Sequence, residues 1–158
     1  MTAPIRTLQD SVAIAASPEA VFALVTSMER YGEWSSENTG GYWRKGADGV
    51  PGTGKVGDQF VGVNRQGERE WKAAVEIIEV DPPRAFAFVT GGVEMNIALW
   101  RYQIEPTEGG CRLTESYELR TQPPQMLEGG QAAMDERITA NVASIRATLT
   151  GIKAAAEG

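Results

Sequence analysis

A chain of 158 residues with 42% hydrophobic and 23% charged residues has the composition of one ordinary globular domain, long enough to bury a core without covalent staples. Its net charge of -6 offers no basic footprint for a phosphate backbone, so nucleic acid is not an expected partner. The one cysteine, Cys111, cannot close an intrachain disulfide, and the lack of histidine excludes Ser-His-Asp and Cys-His nucleophile systems and imidazole metal sites.

Acid-base chemistry is therefore left to Asp, Glu, Tyr, Lys or Cys111. No cofactor is expected. The longest strictly apolar run, Ala20 to Val25, is too short for a signal-peptide core or a membrane span. A cytoplasmic protein without integral membrane association is the expectation, as monomer or homodimer.

From about Ile5 to Ala15 the chain alternates, with Val12 and Ile14 on one side, as a half-buried strand does. Ser17-Pro18-Glu19 then supplies an N-cap, a proline at the first helical position and an acid in the first turn. A short helix to about Ser27 comes next, and a second helical turn from Met28 to Trp34. Gly40 to Lys45 reads as a strand, and the glycine-rich segment Gly46 to Gly57 as a loop. Regular turn signals divide the chain after that loop into strands over Asp58–Arg65, Arg69–Val80, Ala85–Thr90, Val93–Glu105 and Cys111–Arg120. Short links between successive strands mean an antiparallel meander. Gly57, Gly62, Gly91 and Gly92 are the places where such a sheet can curl.

The last stretch, Gly130 to Glu157, reads as a single long amphipathic helix. Met134, Ile138, Val142, Ile145, Leu149 and Ile152 keep to one face of a 3.6-residue period, with Asp135, Asn141, Ser144 and Thr148 largely off it. That stripe needs a partner, and a sheet is what the rest of the chain offers. Period-two alternation names the facing side chains: Phe60, Gly62 and Asn64; Trp71, Ala73, Val75 and Ile77; Phe86, Phe88 and Thr90. Trp100, Tyr102 and Ile104 form another such face, and Leu113, Glu115, Tyr117 and Leu119 the last. A surface so aromatic, dotted with polar tips, is a core or a pocket.

The segments Ser17-Pro18-Glu19-Ala20-Val21-Phe22, Glu33-Trp34-Ser35 and Gly57-Asp58-Gln59-Phe60, with Gly62, Asn64 and Trp71, resemble a known pattern. Trp100 to Pro106 and Gly109 to Glu115 continue it. The chain resembles the START-like or Bet v 1-like (SRPBCC) superfamily, and within it the bacterial polyketide cyclase/dehydrase group, over nearly its whole length. That resemblance implies an α+β helix-grip fold. A curved antiparallel sheet of about seven strands wraps a long C-terminal helix, two short helices come after the first strand, and an apolar cavity lies between sheet and helix. It also implies a single domain over residues 1–158. Family members hold sterols, acyl chains, polyketides or aromatic compounds in that cavity, and a minority catalyse reactions there. The fold alone does not choose.

Three functions are therefore open: binding of a hydrophobic small molecule, a cyclase or dehydratase reaction, and a protein-interaction module. Glu115 is the candidate catalytic residue, because alternation sets its carboxylate on an apolar face where desolvation raises its pKa. The competing readings are an ion pair with Arg101 or another cation and a bulge that turns it to solvent. Asn64 is either a ligand-orienting amide or a turn residue, and Tyr102 and Tyr117 are either pocket donors or satisfied core tyrosines. Asn141 is either a solvated helix position or a group that reaches the cavity. Trp34, Trp71 and Trp100 serve as packing or as aromatic walls, and Phe60, Phe88, Met134 and Ile138 complete the expected ligand-binding set.

Two motifs carry less. Gly49 to Lys55 satisfies most of a phosphate-loop pattern, but Val56 replaces the Ser or Thr and a strand comes after it in place of a helix, so it reads as a surface flap. Cys111 lies beside a turn with no cationic cluster to activate it.

Overall fold

The computed structural model describes residues 3–158, the side chain of Gln125 apart. Strand β1 spans Arg6–Ile14, helix α1 Pro18–Val25, a 3-10 segment Met28–Glu33, and strands β2 to β5 Asn38–Trp43, Gln59–Gln66, Arg69–Asp81 and Ala85–Thr90. A four-residue helix α2, Gly92–Met95, precedes β6, Ala98–Thr107, and β7, Gly110–Leu119, and the chain closes with α3, Pro124–Glu157. The strands form one antiparallel sheet in the order β1-β7-β6-β5-β4-β3-β2. With the long helix across its concave face, this is the α+β helix-grip architecture that the resemblance implies.

The local chemistry explains most boundaries. Ser17 caps α1 by accepting a hydrogen bond from the Ala20 N–H at 3.2 Å, and Pro18 takes the first helical position, where no N–H is needed. The strand expected from Val93 begins only at Ala98, because Gly91, Gly92 and Asn96 adopt left-handed backbone angles that close a helical turn instead. Arg120 holds that turn by donating to the Asn96 side-chain oxygen at 3.2 Å. The sheet bends at two register shifts, between Asn38 and Gly41 on β2 and between Ile77 and Glu79 on β4. Of the four glycines expected to curl it, Gly57, Gly91 and Gly92 lie outside the strands.

The single rod read from Gly130 to Glu157 is present, and a short helical segment that the sequence reading left out precedes it. Gly130 sits at φ 65°, ψ -152°, a conformation open to glycine alone, and separates a short leading helical segment from the long one. The inward face of the long segment also differs: Val142 is 52% exposed, whereas Asn141 and Thr148 are 4% and 5% exposed. Met134, Ile138, Asn141, Ile145, Thr148 and Ile152 alternate steps of four and three, so helical geometry includes the two polar residues that a hydropathy criterion leaves out.

Helix α3 is stitched to the edge strand β1. Arg146 donates to Asp10 at 3.0 Å, Lys153 donates to the Ala13 carbonyl at 2.9 Å, and the Ala15 N–H donates to the Glu157 carboxylate at 2.8 Å. Between them Ile145, Leu149 and Ile152, all 2% exposed or less, enter a core with Val21, Val25 and Leu113. The loop before β3 is organised by its own acid: one Asp58 oxygen accepts the N–H groups of Thr53, Gly54 and Lys55 at 2.8, 3.0 and 2.9 Å. These bonds hold the Asp58 carboxyl below its ordinary range, and the amides that a phosphate would need are already taken.

Helix α3 comes so close to the 3-10 segment that only glycine fits at the crossing. A Cβ on Gly151 would lie 2.0 Å from the Trp34 Cβ. We expect Gly151→Ala to lower stability by about 1 to 3 kcal/mol, overpacking outweighing the ~1 kcal/mol that alanine gains in a helix. Urea unfolding of the pair measures it, and an alanine variant at least as stable as the parent refutes this account of the crossing.

Candidate functional site

The concave face of the sheet is wider than one helix covers, and what α3 leaves open is a cavity of about 790 Å³. Its apolar wall includes Met28, Phe60, Val75, Phe88, Trp100 and Leu119, contributed by five strands and the 3-10 segment. Period-two alternation delivers these side chains to one face, and the Trp100 and Tyr117 rings, 4.7 Å apart, pave it.

Glu115 stands on this wall, 4% exposed. It is opposite Tyr102 of β6 and Asp10 of β1 in the sheet register. Burial pushes its carboxyl up to about 8, the Tyr102 hydroxyl beside it offsetting a little and the Asp10 charge adding to the rise. The carboxyl is thus mostly protonated at neutral pH. Its Oε1 has no hydrogen-bond partner, a costly state for a buried polar atom. The pairing with Arg101 does not form: Arg101 points to the other face and holds Glu79 at 2.7 Å.

Tyr31 completes this dry end. Its ring meets Tyr102 edge-on with centroids 6.3 Å apart, and its hydroxyl donates to the Val25 carbonyl. Burial, helped by the Glu115 charge, drives both phenols well above the ordinary tyrosine value, so they act as hydrogen-bonding groups and not as phenolates. A protonated carboxyl beside two phenols can donate to a carbonyl or hydroxyl oxygen, and a carboxyl poised near neutrality can also give up and recover a proton.

The open end of the cavity is polar. Trp71 has two guanidinium groups over its indole, Arg69 at 5.1 Å and Arg137 at 5.5 Å. Arg137 donates to Glu37 at 2.8 Å and to the Asn141 oxygen at 3.4 Å, while the Asn38 amide donates to Asn64 at 3.4 Å. Tyr117, raised by burial, is partly restored by the Arg137 charge and the Asn141 side chain.

The wall brings together Phe60, Asn64, Trp71, Phe88, Trp100, Tyr102, Glu115, Tyr117 and Asn141 of the residues named from sequence. Trp34, Met134 and Ile138 do not line it. Trp34 is 6% exposed and wedged against Gly151 under the Arg30 guanidinium, 5.2 Å from its ring. Met134 and Ile138 pack into the apolar core beneath the helix. Sequence reasoning missed Tyr31, Glu37, Arg69 and Arg137. Arg137 carries a readable signal, four residues before Asn141 on the same helix face. Cys111 is fully buried with its thiol pushed up by burial, which deprives it of nucleophilic character.

Among the described residues no group of three or more Asp, Glu or Cys side chains is placed to hold a metal ion, and no helix is long and apolar enough to cross a membrane.

No curated protein matches the chain. Solved structures do. A polyketide-cyclase-like protein of Corynebacterium glutamicum, solved in solution by NMR, is 30% identical over 93% of this chain and 88% of its own, with a TM-score of 0.62. The di-domain ARO/CYC BexL from the BE-7585A biosynthetic pathway is 17% identical with a TM-score of 0.74, and this chain, 97% covered, spans 50% of it. A START superfamily protein from Mycobacterium smegmatis, 14% identical, matches over 96% of this chain and 97% of its own with a TM-score of 0.63. The last two share the fold. The family model described as polyketide cyclase / dehydrase and lipid transport matches residues 6–157, and the chain belongs to that family.

Proposed function

We propose that the protein binds a hydrophobic small molecule, a lipid, polyketide or aromatic compound, in the cavity between sheet and helix. The observation that carries this reading is the cavity itself: about 790 Å³, within the range of small-molecule sites, with an apolar and aromatic wall toward its closed end and polar groups at its open end. Family membership supports a hydrophobic-ligand or polyketide-related role. The interaction-module reading has less behind it: of the exposed large apolar residues, Val93 and Met95 share α2 and Val50 and Val56 share the loop before β3, while Ile5, Tyr42, Leu127 and Val142 lie on separate segments.

A second reading, a cyclase- or dehydratase-like reaction, is favoured by one observation, the buried Glu115 carboxyl on the wall, whose Oε1 has no hydrogen-bond partner. For a bound β-hydroxy carbonyl compound, Glu115 gives its proton to the hydroxyl that leaves as water. The resulting carboxylate removes a proton from the adjacent carbon and is restored. Tyr102 steadies the carboxylate in the interval.

Native mass spectrometry of gently purified protein tests the first reading. We expect a co-purifying lipid or aromatic compound at one per chain, released on denaturation. An empty protein that also takes up no apolar ligand on titration refutes it.

The protonation of Glu115 has its own test. Unfolded, the carboxyl titrates near 4.5, and folded, about 8, so between these values the native state holds a proton that the unfolded chain has lost. Stability therefore falls as pH rises through this window, by on the order of 5 kcal/mol in full. Glu115→Gln should match the parent near pH 5 and exceed it by a few kcal/mol near pH 9 in urea unfolding. Equal pH dependence of the two proteins sinks the protonated-carboxyl account.

A further inference from the structure

The charge around the cavity runs against the charge of the chain. The protein carries -6, yet Arg44, Arg69, Lys72 and Arg137 all contribute to the cavity wall. Three acids oppose them, Glu37, Glu136 and Glu115, and the last is buried at the dry end and mostly neutral at pH 7. With Lys72 set apart, since alternation along β4 turns it to the other face over Tyr42, three cations stand against the two acids that remain ionised.

Most of these cations have no intramolecular anion. Among the described residues only Arg137 of the four has an ion-pair partner, Glu37 at 2.8 Å, and that contact uses Nη1 alone. Arg44 is spent on the Gln59 amide oxygen, and Lys72 lies 5.6 Å over the Tyr42 ring. Arg69 has no carboxylate at all, because its neighbour Glu70 is engaged by Arg65 at 3.3 Å. Alternation along β4 carries Arg69 to the same face as Trp71, where its guanidinium and that of Arg137 share one indole.

Two guanidinium groups on one indole concentrate positive charge there, and a guanidinium fork is shaped to hold a planar oxyanion with two parallel bonds. Glu37 satisfies only part of this demand. Its Oε1 is buried without a partner, so the Glu37 carboxylate grips Arg137 by one oxygen and leaves the Arg69 fork empty.

We infer that the ligand is an anionic amphiphile, its oxyanion head group seated at the Trp71 edge of the cavity beside Arg69 and Arg137 and its apolar body running inward toward Tyr102. The inference rests on the cavity-binding reading and specifies which hydrophobic molecules the cavity takes. It also sets their orientation. Charge enters last and stays at the wet end, where its hydration is only partly lost, and the dry end receives the uncharged part, which Glu115 meets as a hydrogen-bond donor.

The test uses a matched pair of fluorescent probes, anilinonaphthalene sulfonate and phenylnaphthylamine, which share one ring system and differ in the sulfonate. Both are titrated into the full chain, the Arg69→Gln variant, and an Arg84→Gln control whose cation lies on an exposed ion pair with Asp81. We expect the sulfonate to bind the parent more tightly than the neutral probe. Arg69→Gln should lower that ratio about tenfold, as loss of an arginine–oxyanion contact does. Arg84→Gln should leave the ratio unchanged, and about 0.5 M NaCl should narrow it. Because the ratio is taken within one protein, a general loss of fold does not imitate the result. A neutral probe that binds as tightly as the sulfonate, or a ratio that Arg69→Gln does not move, overturns the head-group inference and leaves the cavity reading standing. Failure of both probes to bind the parent stoichiometrically overturns both.

Discussion

One helix cannot cover seven strands. Helix α3 makes its close approach to β1, β7 and α1, at one side of the concave face, and toward the far strands it extends long side chains such as Arg137, whose guanidinium lies over Trp71 of β4. An antiparallel sheet that alternates apolar residues along every strand has to bury one face. Here part of that face is buried against the helix and part encloses space. The cavity is therefore a consequence of element count and length. The ion pairs and backbone contacts that fasten α3 to β1 keep the helix at the edge and so keep the space open.

The interior is graded from wet to dry. At the open end charges are paired, stacked on an indole or solvated, each a state that a surface tolerates at little cost. At the closed end Glu115 and the two phenols have only each other and the backbone, and desolvation decides their protonation. Asp10 keeps its charge because Arg146 sits on it, whereas Glu115, directly opposite in the sheet, has no cation. The same residue class thus occupies adjacent strands in two protonation states, set by the presence or absence of one guanidinium.

Much of this is legible in the sequence. Turn residues place the strands, with boundaries within a residue or two for β3 to β5, and period-two alternation puts Glu115 between Leu113 and Tyr117 on the inner face. Where that reading fails, the reason is physical. A stripe sought by hydropathy prefers Val142 to Asn141, although a helix that borders a cavity turns polar residues inward as readily as apolar ones. Strand β6 begins late because two glycines and an asparagine satisfy a helical turn in place of the ladder. Tyr31, Glu37 and Arg137 escape for another reason: Arg137 and Glu37 meet across 100 residues of chain, and no local period encodes such a meeting. Alternation gives the wall residues their position but not their functional weight, since a strand face reads the same whether it lines a cavity or a packed core.

The break at Gly130 divides α3 into parts with separate support. The long rod shares its backbone ladder with β1-anchored turns and unfolds only with the domain. The leading segment, whose Pro123 approach and Met126 side chain touch the cavity, is cut off from that ladder by a residue outside helical geometry. Its few hydrogen bonds are nearly all its own, such as the Leu127 N–H to the Pro123 carbonyl at 3.1 Å. Amide hydrogens before Gly130 therefore exchange with solvent through local opening, at a rate independent of global stability, while those of the rod report the whole fold.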